Sequence, residues 1–287
     1  RRQRQMCIRD SHDIKDFWLS PEMAAESAVE MVKLGFTALK FDPAGPYTMR
    51  GGHHPSMHDI DKSVEFCRAI RDAVGNKADL LFGTHGQFNT AGAIRLGRRL
   101  EAFDPLWFEE PIPPDNLLEF QNVASQVRIP IATGERMTTK AEFSTVLRTG
   151  GASILQPALG RSGGILETKK IAAIGEVYNA QIAPHLYAGP VEWAANIQLA
   201  ANIPNLLLVE TILTGGDFLL KLIKNAIKGE DGFIIAPTEP GLGISFDEQV
   251  ALDNPYNGKE LHLQMSEEGC DYQNKNDFLG GAPPRKN

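Results

Sequence analysis

Residues 80–135, LLFGTHGQFNTAGAIRLGRRLEAFDPLWFEEPIPPDNLLEFQNVASQVRIPIATGE, hold three short β-rich runs: LLFGTH ending at His85, LWFEEP ending at Pro111 and IPIATGE ending at Glu135. Between the first two, NTAGAIRLGRRLEAF carries its apolar residues at helical spacing. Short strands alternating with amphipathic helices are the signature of βα units and a parallel sheet. The rhythm continues outward from this stretch. Upstream, SPEMAAESAVEMVKLGF starts with a capping Ser20 and Pro21 at the first helical position, ends at Gly35, and leads into the strand TALKFD. Downstream lie the helix TTKAEFSTVLRTG and the strands ASILQPA to Ala158, AQIAPH to His185 and NLLLVET to Thr211.

One position closes each strand: Gly83, Glu109, Glu135, Ala158, His185 and Glu210, at successive steps of 26, 26, 23, 27 and 25 residues. Each step is one βα unit, so these positions line one rim. In a barrel the C-terminal rim is where chemistry sits, because strands fix the side chains and loops shape the pocket. The expected fold is α/β, a TIM-like (β/α)7β barrel with its first strand missing or irregular, plus a small C-terminal extension. Residues 1–19 read as an irregular or artefactual leader, 20–222 as the barrel and 223–287 as the extension. A helix DFLLKLIKNAI (217–227) precedes GFIIAPTEPGLGISF (232–246), a Gly/Pro-punctuated pair of short strands, and the polar tail after Asn257 is expected to be poorly ordered.

With 287 residues, 42% hydrophobic and 23% charged, the chain can bury one large core. Its net charge of −7 and pI near 5.6 argue against nucleic acid or an anionic membrane as partner, since both require concentrated Lys and Arg. A small soluble substrate is expected instead. Cys7, Cys67 and Cys270 are scattered and form no CxxC pair, which suggests neither a disulfide framework nor a structural zinc site and fits a reducing cytoplasm. No apolar run approaches the roughly 20 residues of a membrane span. The first eleven residues, RRQRQMCIRDS, have four arginines and neither a helical nor a strand period. They read as a targeting segment lacking its apolar region, or as adapter read-through at a broken sequence end with the natural start further upstream.

Glu109 and Glu135 follow apolar strand residues, where a carboxylate must be paired or bind a cation. Each could be salt-bridged to Arg136 or a lysine, but two at matching height on adjacent strands point to a metal. His185 suits a general base, although a single histidine is more often structural. His85 sits among glycines that allow close approach of a ligand. Lys40 and Asp42 end the strand LKFD, where Lys40 could be a base, a carboxylate binder or an ion-pair partner. GRSGG (160–164) reads as a tight turn rather than a phosphate loop. His53 and His54 lie in a Gly/Pro-rich loop long enough to fold over the rim.

Taken in order, LKFDP, THGQ, WFEEPIPP, TGERM, ILQP with GGI, APH and VET resemble the enolase superfamily, and within its mandelate racemase group the galactonate-dehydratase-like acid sugar dehydratases. The resemblance spans about Pro21 to Ser245. It implies a Mg²⁺ ion, with Mn²⁺ or another divalent ion as an alternative, that holds a substrate carboxylate and stabilises the enediolate formed when a base removes the α-proton. It also implies that Glu109 and Glu135 are metal ligands, His185 is the base, Glu210 hydrogen-bonds the substrate carboxylate and His85 protonates the departing hydroxyl. An N-terminal capping domain and homo-oligomeric assembly of the full-length protein are implied as well.

Two positions depart from that pattern. Gly83 stands where the first acidic ligand belongs, so metal affinity should fall or His85 should swing in, which would favour Mn²⁺, Fe²⁺ or Zn²⁺. Ala158 stands where an aspartate would orient the histidine, so the basicity of His185 should drop. The second lysine of the expected β2 pair is Asp42, which makes one-sided elimination of water better supported than racemisation. The functions that follow are a metal-dependent sugar-acid hydro-lyase, a catalytically impaired sugar-acid binder, or a Schiff-base aldolase built on Lys40.

Overall fold

The computed structural model describes residues 2–8, 20–45, 54–212, 221–225 and 227–255. Eight parallel strands surround the core: β1 (Arg2–Ile8), β2 (Ala38–Phe41), β3 (Asp79–Gly83), β4 (Trp107–Glu109), β5 (Ile131–Thr133), β6 (Ile154–Leu155), β7 (Gln181–Ile182) and β8 (Val209–Ile212). Neighbours pair in sequence order from β1 to β7. β8 pairs with β1 on one side, and Ile182 of β7 bridges Leu206 just before β8 on the other, which closes the ring. Helices α1 (Pro21–Lys33), α2 (Met57–Val74), α3 (Thr90–Leu100), α4 (Glu119–Ala124), α5 (Lys140–Arg148), α6 (Leu159–Ser162), α7 (Gly164–Val177) and α8 (Pro190–Ala200) fill the connections. The helix starts follow their sequence signals. Ser20 Oγ accepts the Met23 amide at 3.2 Å, and Thr139 with Glu142 forms a capping box at α5.

The first strand corrects the sequence reading. Arg2–Ile8, assigned above to a leader, pairs parallel with β2 through Cys7↔Leu39 and with β8 through Gln5↔Val209. Both pairings use backbone amides and carbonyls, which arginine and glutamine supply as well as valine does. RQRQMCI carries little of the apolar alternation by which a strand is recognised in a sequence. In the GRSGG segment Gly160–Ser162 belong to the single-turn helix α6, and the tight turn is at Gly163 and Gly164, at φ 94° and 81°, where α6 gives way to α7. The proposed lid falls mostly outside the described residues, as do residues 217–220 and 226 of the helix expected over 217–227. Within the described part of that helix, Ile223 instead bridges Phe246 antiparallel.

Two apolar layers explain why the mouth is polar. Alternate residues of each strand face opposite ways. Leu39, Phe41, Leu80, Phe82 and Phe108 pack outward against the helices. Ala38, Leu81, Trp107, Ala132, Ile154, Ala183 and Leu208 form a plug inside the barrel. Two residues further along the same faces come Lys40, Gly83, Glu109, Gly134, Gln156, His185 and Glu210. The period of two thus stacks a polar storey on an apolar one. β3 and β5 supply only glycine at this level, and on β5 Gly134, at φ 140°, turns the chain so that Glu135 carries the acid.

The extension begins with a hairpin, β9 (Lys228–Glu230) and β10 (Phe233–Ile235), whose β10 pairs antiparallel with Arg2–Arg4 of β1. Its two-residue turn is Asp231-Gly232, both at positive φ (51° and 73°), the combination that a right-twisted hairpin favours. A Cβ on Gly232 would stand 2.0 Å from the Gly35 carbonyl oxygen after α1, and backbone cannot swing aside as a side chain can. Gly232→Ala is therefore expected to cost on the order of 1–3 kcal/mol in chemical denaturation. A loss below a few tenths of a kcal/mol would mean that the turn does not press on Gly35.

Candidate active site

The polar storey is held by a buried ion cluster. Lys40, Glu109 and Glu210 are 5%, 1% and 0% exposed. The Lys40 ammonium donates to Glu109 Oε1 at 2.5 Å and to Glu210 Oε1 at 2.8 Å. Glu109 Oε2 accepts from Gln156 Nε2 at 2.7 Å and from Trp107 Nε1 at 3.1 Å. Glu210 Oε2 accepts the Leu186 amide and lies 2.9 Å from His185 Nδ1. Burial works against the Lys40 proton, but the carboxylates of Glu109, Glu210 and Glu135 outweigh it and hold the pKa well above the usual lysine range. An ammonium so held is not the neutral amine that Schiff-base chemistry needs, which removes the support for an aldolase. Burial raises Glu109, against the pull of Lys40. It also works to raise Glu210, yet Lys40 and His185 bring that carboxyl down to about 2.

Glu135 and His185 form the more open side of the cluster, each with its side chain between 10% and 15% exposed. Glu135 Oε2 is 3.4 Å from His185 Nδ1. His185 rises from the end of β7, where its backbone bridges Ala158 and its carbonyl accepts from Asn196 Nδ2 at 3.1 Å. The loss of basicity expected from Ala158 does not occur. Burial disfavours the imidazolium, but Glu210 and then Glu135 outweigh it and raise the pKa. These two carboxylates do what an aspartate at 158 would have done. Glu210 is turned wholly toward Lys40, Leu186 and His185, which makes it a positioning residue rather than a free acceptor for a substrate carboxylate.

His85 stands on the opposite loop at φ 51°, next to Glu110 at φ 38° after β4. Non-glycine residues in this region store strain and gather at functional sites. Thr84 Oγ1 donates to the carbonyls of Glu109 and Glu110, and the Gly86 amide donates to Glu110 O at 2.7 Å, clipping the two loops together. Arg136 lies over Gly86 and reaches the His85 carbonyl at 3.3 Å. Asp42, expected beside Lys40, accepts instead from Gln87 Nε2 at 2.6 Å and from the Ala44 amide. Sequence reasoning missed Trp107, Gln156 and Gln87. The signal for the first was the strand period, since Trp107 and Glu109 share a face.

Arg136 Nε also donates to the fully buried Glu110 at 2.9 Å. Burial first, and Glu135 next, still push the Glu110 carboxyl up from 4.5 to about 7 despite Arg136. The folded state thus holds a proton that the unfolded state has lost between these two values. Stability from this group is full below pH 4.5 and falls as pH rises toward 7, at up to about 1.4 kcal/mol per pH unit. Unfolding measured across this window should show the slope in the wild type and its loss in Glu110→Gln. Parallel curves would contradict the shift.

The donor set does not fit a divalent metal. Of the two expected ligands, Glu109 has both oxygens committed to Lys40, Gln156 and Trp107, and only Glu135 keeps an oxygen, Oε2, without a hydrogen bond, 3.4 Å from His185 Nδ1. A Cβ at Gly83, the position for the first acidic ligand, would stand 2.7 Å from Lys40 Cε. Among the described residues no group of three or more His, Cys, Asp or Glu is arranged to hold an ion.

Residues 23–250 match the family described as Enolase C-terminal domain-like, and the chain belongs to that family. It is 64% identical to a mandelate racemase/muconate lactonizing enzyme structure from Sulfitobacter sp., with a TM-score of 0.86, covering 93% of this chain and 68% of that one. A mandelate racemase/muconate lactonizing enzyme-like protein from Roseovarius sp. TM1035 is 62% identical, with a TM-score of 0.87, covering 94% and 69%. Among curated relatives, the D-gluconate/D-galactonate dehydratase of Picrophilus torridus is 35% identical over 84% of this chain and 61% of its own length. The D-xylonate dehydratase of Haloferax volcanii is 35% identical over 84% and 60%. The resemblance to galactonate-type dehydratases holds, and the chain spans about three-fifths of these two relatives. Enzymes of this branch generally use a divalent metal, typically Mg²⁺. No helix among the described residues is long and apolar enough to cross a membrane.

Proposed function

We propose that this chain is the barrel of a sugar-acid lyase that eliminates water from a polyhydroxylated carboxylate. The observation that carries the reading is where unmet polarity collects. Of ten buried side-chain polar atoms without an in-line hydrogen bond among the described residues, seven (Glu110 Oε1, Thr133 Oγ1, Glu135 Oε2, Gln156 Oε1, His85 Nδ1, His185 Nδ1 and Gln87 Oε1) belong to the loops and strand ends of the mouth, and the others are Trp193 Nε1, Asn196 Oδ1 and Asn205 Oδ1. Buried polar atoms without partners are costly, so the mouth is built to be completed by a ligand rich in hydroxyl and carboxyl groups. The names of the Picrophilus torridus and Haloferax volcanii relatives support the same class of substrate.

In this reading His185 accepts the proton from the carbon beside the carboxylate. The electron pair of that C–H bond forms a double bond to the next carbon, whose C–O bond breaks. His85 gives a proton to the departing hydroxyl, which leaves as water, and the resulting enol becomes a 2-keto-3-deoxy acid. Glu210 and Glu135 hold the His185 ring and its charge, and Glu109 keeps Lys40 in place. One base on one face suits elimination better than racemisation.

The test is incubation with D-gluconate, D-galactonate and D-xylonate and assay for the 2-keto-3-deoxy product. Product from at least one acid, lost in His85→Asn, supports the lyase. Saturable binding of these acids with no product would instead favour a sugar-acid binder, the reading that Gly83 motivates.

A further inference from the structure

We propose that Lys40 is the resident cation of this site: its ammonium stands where an acid-lined barrel mouth would hold a divalent metal, Gly83 is the residue that makes room for it, and the site takes up no divalent ion. The inference stands apart from the reaction proposed above, because ion binding is read without turnover.

Three observations carry it. The first is steric. Lys40 pairs with Leu81 across the β2–β3 ladder, and its side chain runs toward the mouth over Gly83, two residues on. A Cβ at position 83 would meet Lys40 Cε at 2.7 Å and Cγ and Nζ at 3.7 Å each. Cε is one bond short of an ammonium tied to Glu109 and Glu210, so the lysine can make room at 83 only by moving that ammonium. An acidic ligand at 83 and this lysine conformation exclude one another, and the glycine is the counterpart of the lysine.

The second is electrostatic. Glu109, Glu210 and Glu135 converge on Lys40, and buried carboxylates require a compensating positive charge. Lys40 supplies one such charge from within the chain, and His185, 2.9 Å from Glu210 and 3.4 Å from Glu135, supplies a second when protonated.

The third is saturation. A bound Mg²⁺ demands carboxylate oxygens at about 2.0–2.1 Å in octahedral array. Here Glu109 gives one oxygen to Lys40 and the other to Gln156 and Trp107. Glu210 gives one to Lys40 and the other to the Leu186 amide and His185, which leaves Glu135 Oε2 as the one uncommitted oxygen of the three carboxylates named here. A metal would have to break most of these contacts and still lack its first ligand.

The experiment is a titration with Mn²⁺, following free ion by electron paramagnetic resonance, on the wild type, Glu109→Gln and the double variant Gly83→Asp/Lys40→Met. The wild type is expected to leave Mn²⁺ free at millimolar concentration. The double variant, with a third carboxylate and no ammonium, is expected to bind one equivalent and to gain several degrees of Tm when it does. One equivalent bound by the wild type and abolished by Glu109→Gln would overturn the proposal. A double variant that folds, as circular dichroism would report, and binds nothing would overturn the role given to Gly83. Should it not fold, the wild-type titration decides the matter alone.

Discussion

Lys40→Met is expected to lower the stability of the chain by about 3–5 kcal/mol, the cost of leaving buried charges without their partner. Methionine nearly matches lysine in length and is readily buried, so packing changes little and the measured loss is electrostatic. The loss should be that large because Glu109 and Glu210 are 1% and 0% exposed and both accept from the same ammonium. A control separates charge from shape. Adding Glu109→Gln and Glu210→Gln to Lys40→Met removes the stranded carboxylates and should recover much of the loss, since uncharged substitutes for a buried ion network are often tolerated. Urea denaturation of the single and triple variants is the measurement. A single variant within about 1 kcal/mol of wild type, the value of an exposed ion pair, would show that the cluster is solvated.

His185→Asn is expected to reduce removal of the α-proton by about 10²–10⁴-fold, the usual contribution of a positioned general base. The fold should survive. The His185 side chain is 13% exposed, and the ties that fix the segment, the Ala158 bridge and the Asn196 contact, use its backbone. A sugar acid should still bind, because His85, Gln156 and Gln87 remain. Kinetics should therefore show kcat falling with KM little changed, whereas a purely structural histidine would lower Tm and disturb both.

Much of the fold was legible in particular residues. Steps close to one βα unit between strand-closing residues announced a barrel, and the same steps put Glu109, His185 and Glu210 on one rim. β1 was not legible, because its pairing runs through the backbone while the sequence reading listened for side chains. The partners of Glu109 were harder still. That Lys40 crosses from β2 to lie over Gly83 depends on the side chain leaning along the barrel, which no linear spacing records. The expected weakening of His185 failed for a related reason: Ala158 removes a neighbour after β6, but Glu135 from beyond β5 and Glu210 from β8 reach the ring. Loss of one charge in sequence is not loss of charge at the site when strands bring others around the ring.

The most direct test of the account is deuterium incorporation at the α-carbon of D-gluconate, D-galactonate or D-xylonate, followed by NMR in D₂O with Mg²⁺ present so that no ion is limiting. The chain is expected to exchange this hydrogen, or expel water after removing it, with at least one of the acids, and His185→Asn is expected to do neither. Absence of exchange and product with every acid, or exchange that continues unchanged in His185→Asn, would contradict it.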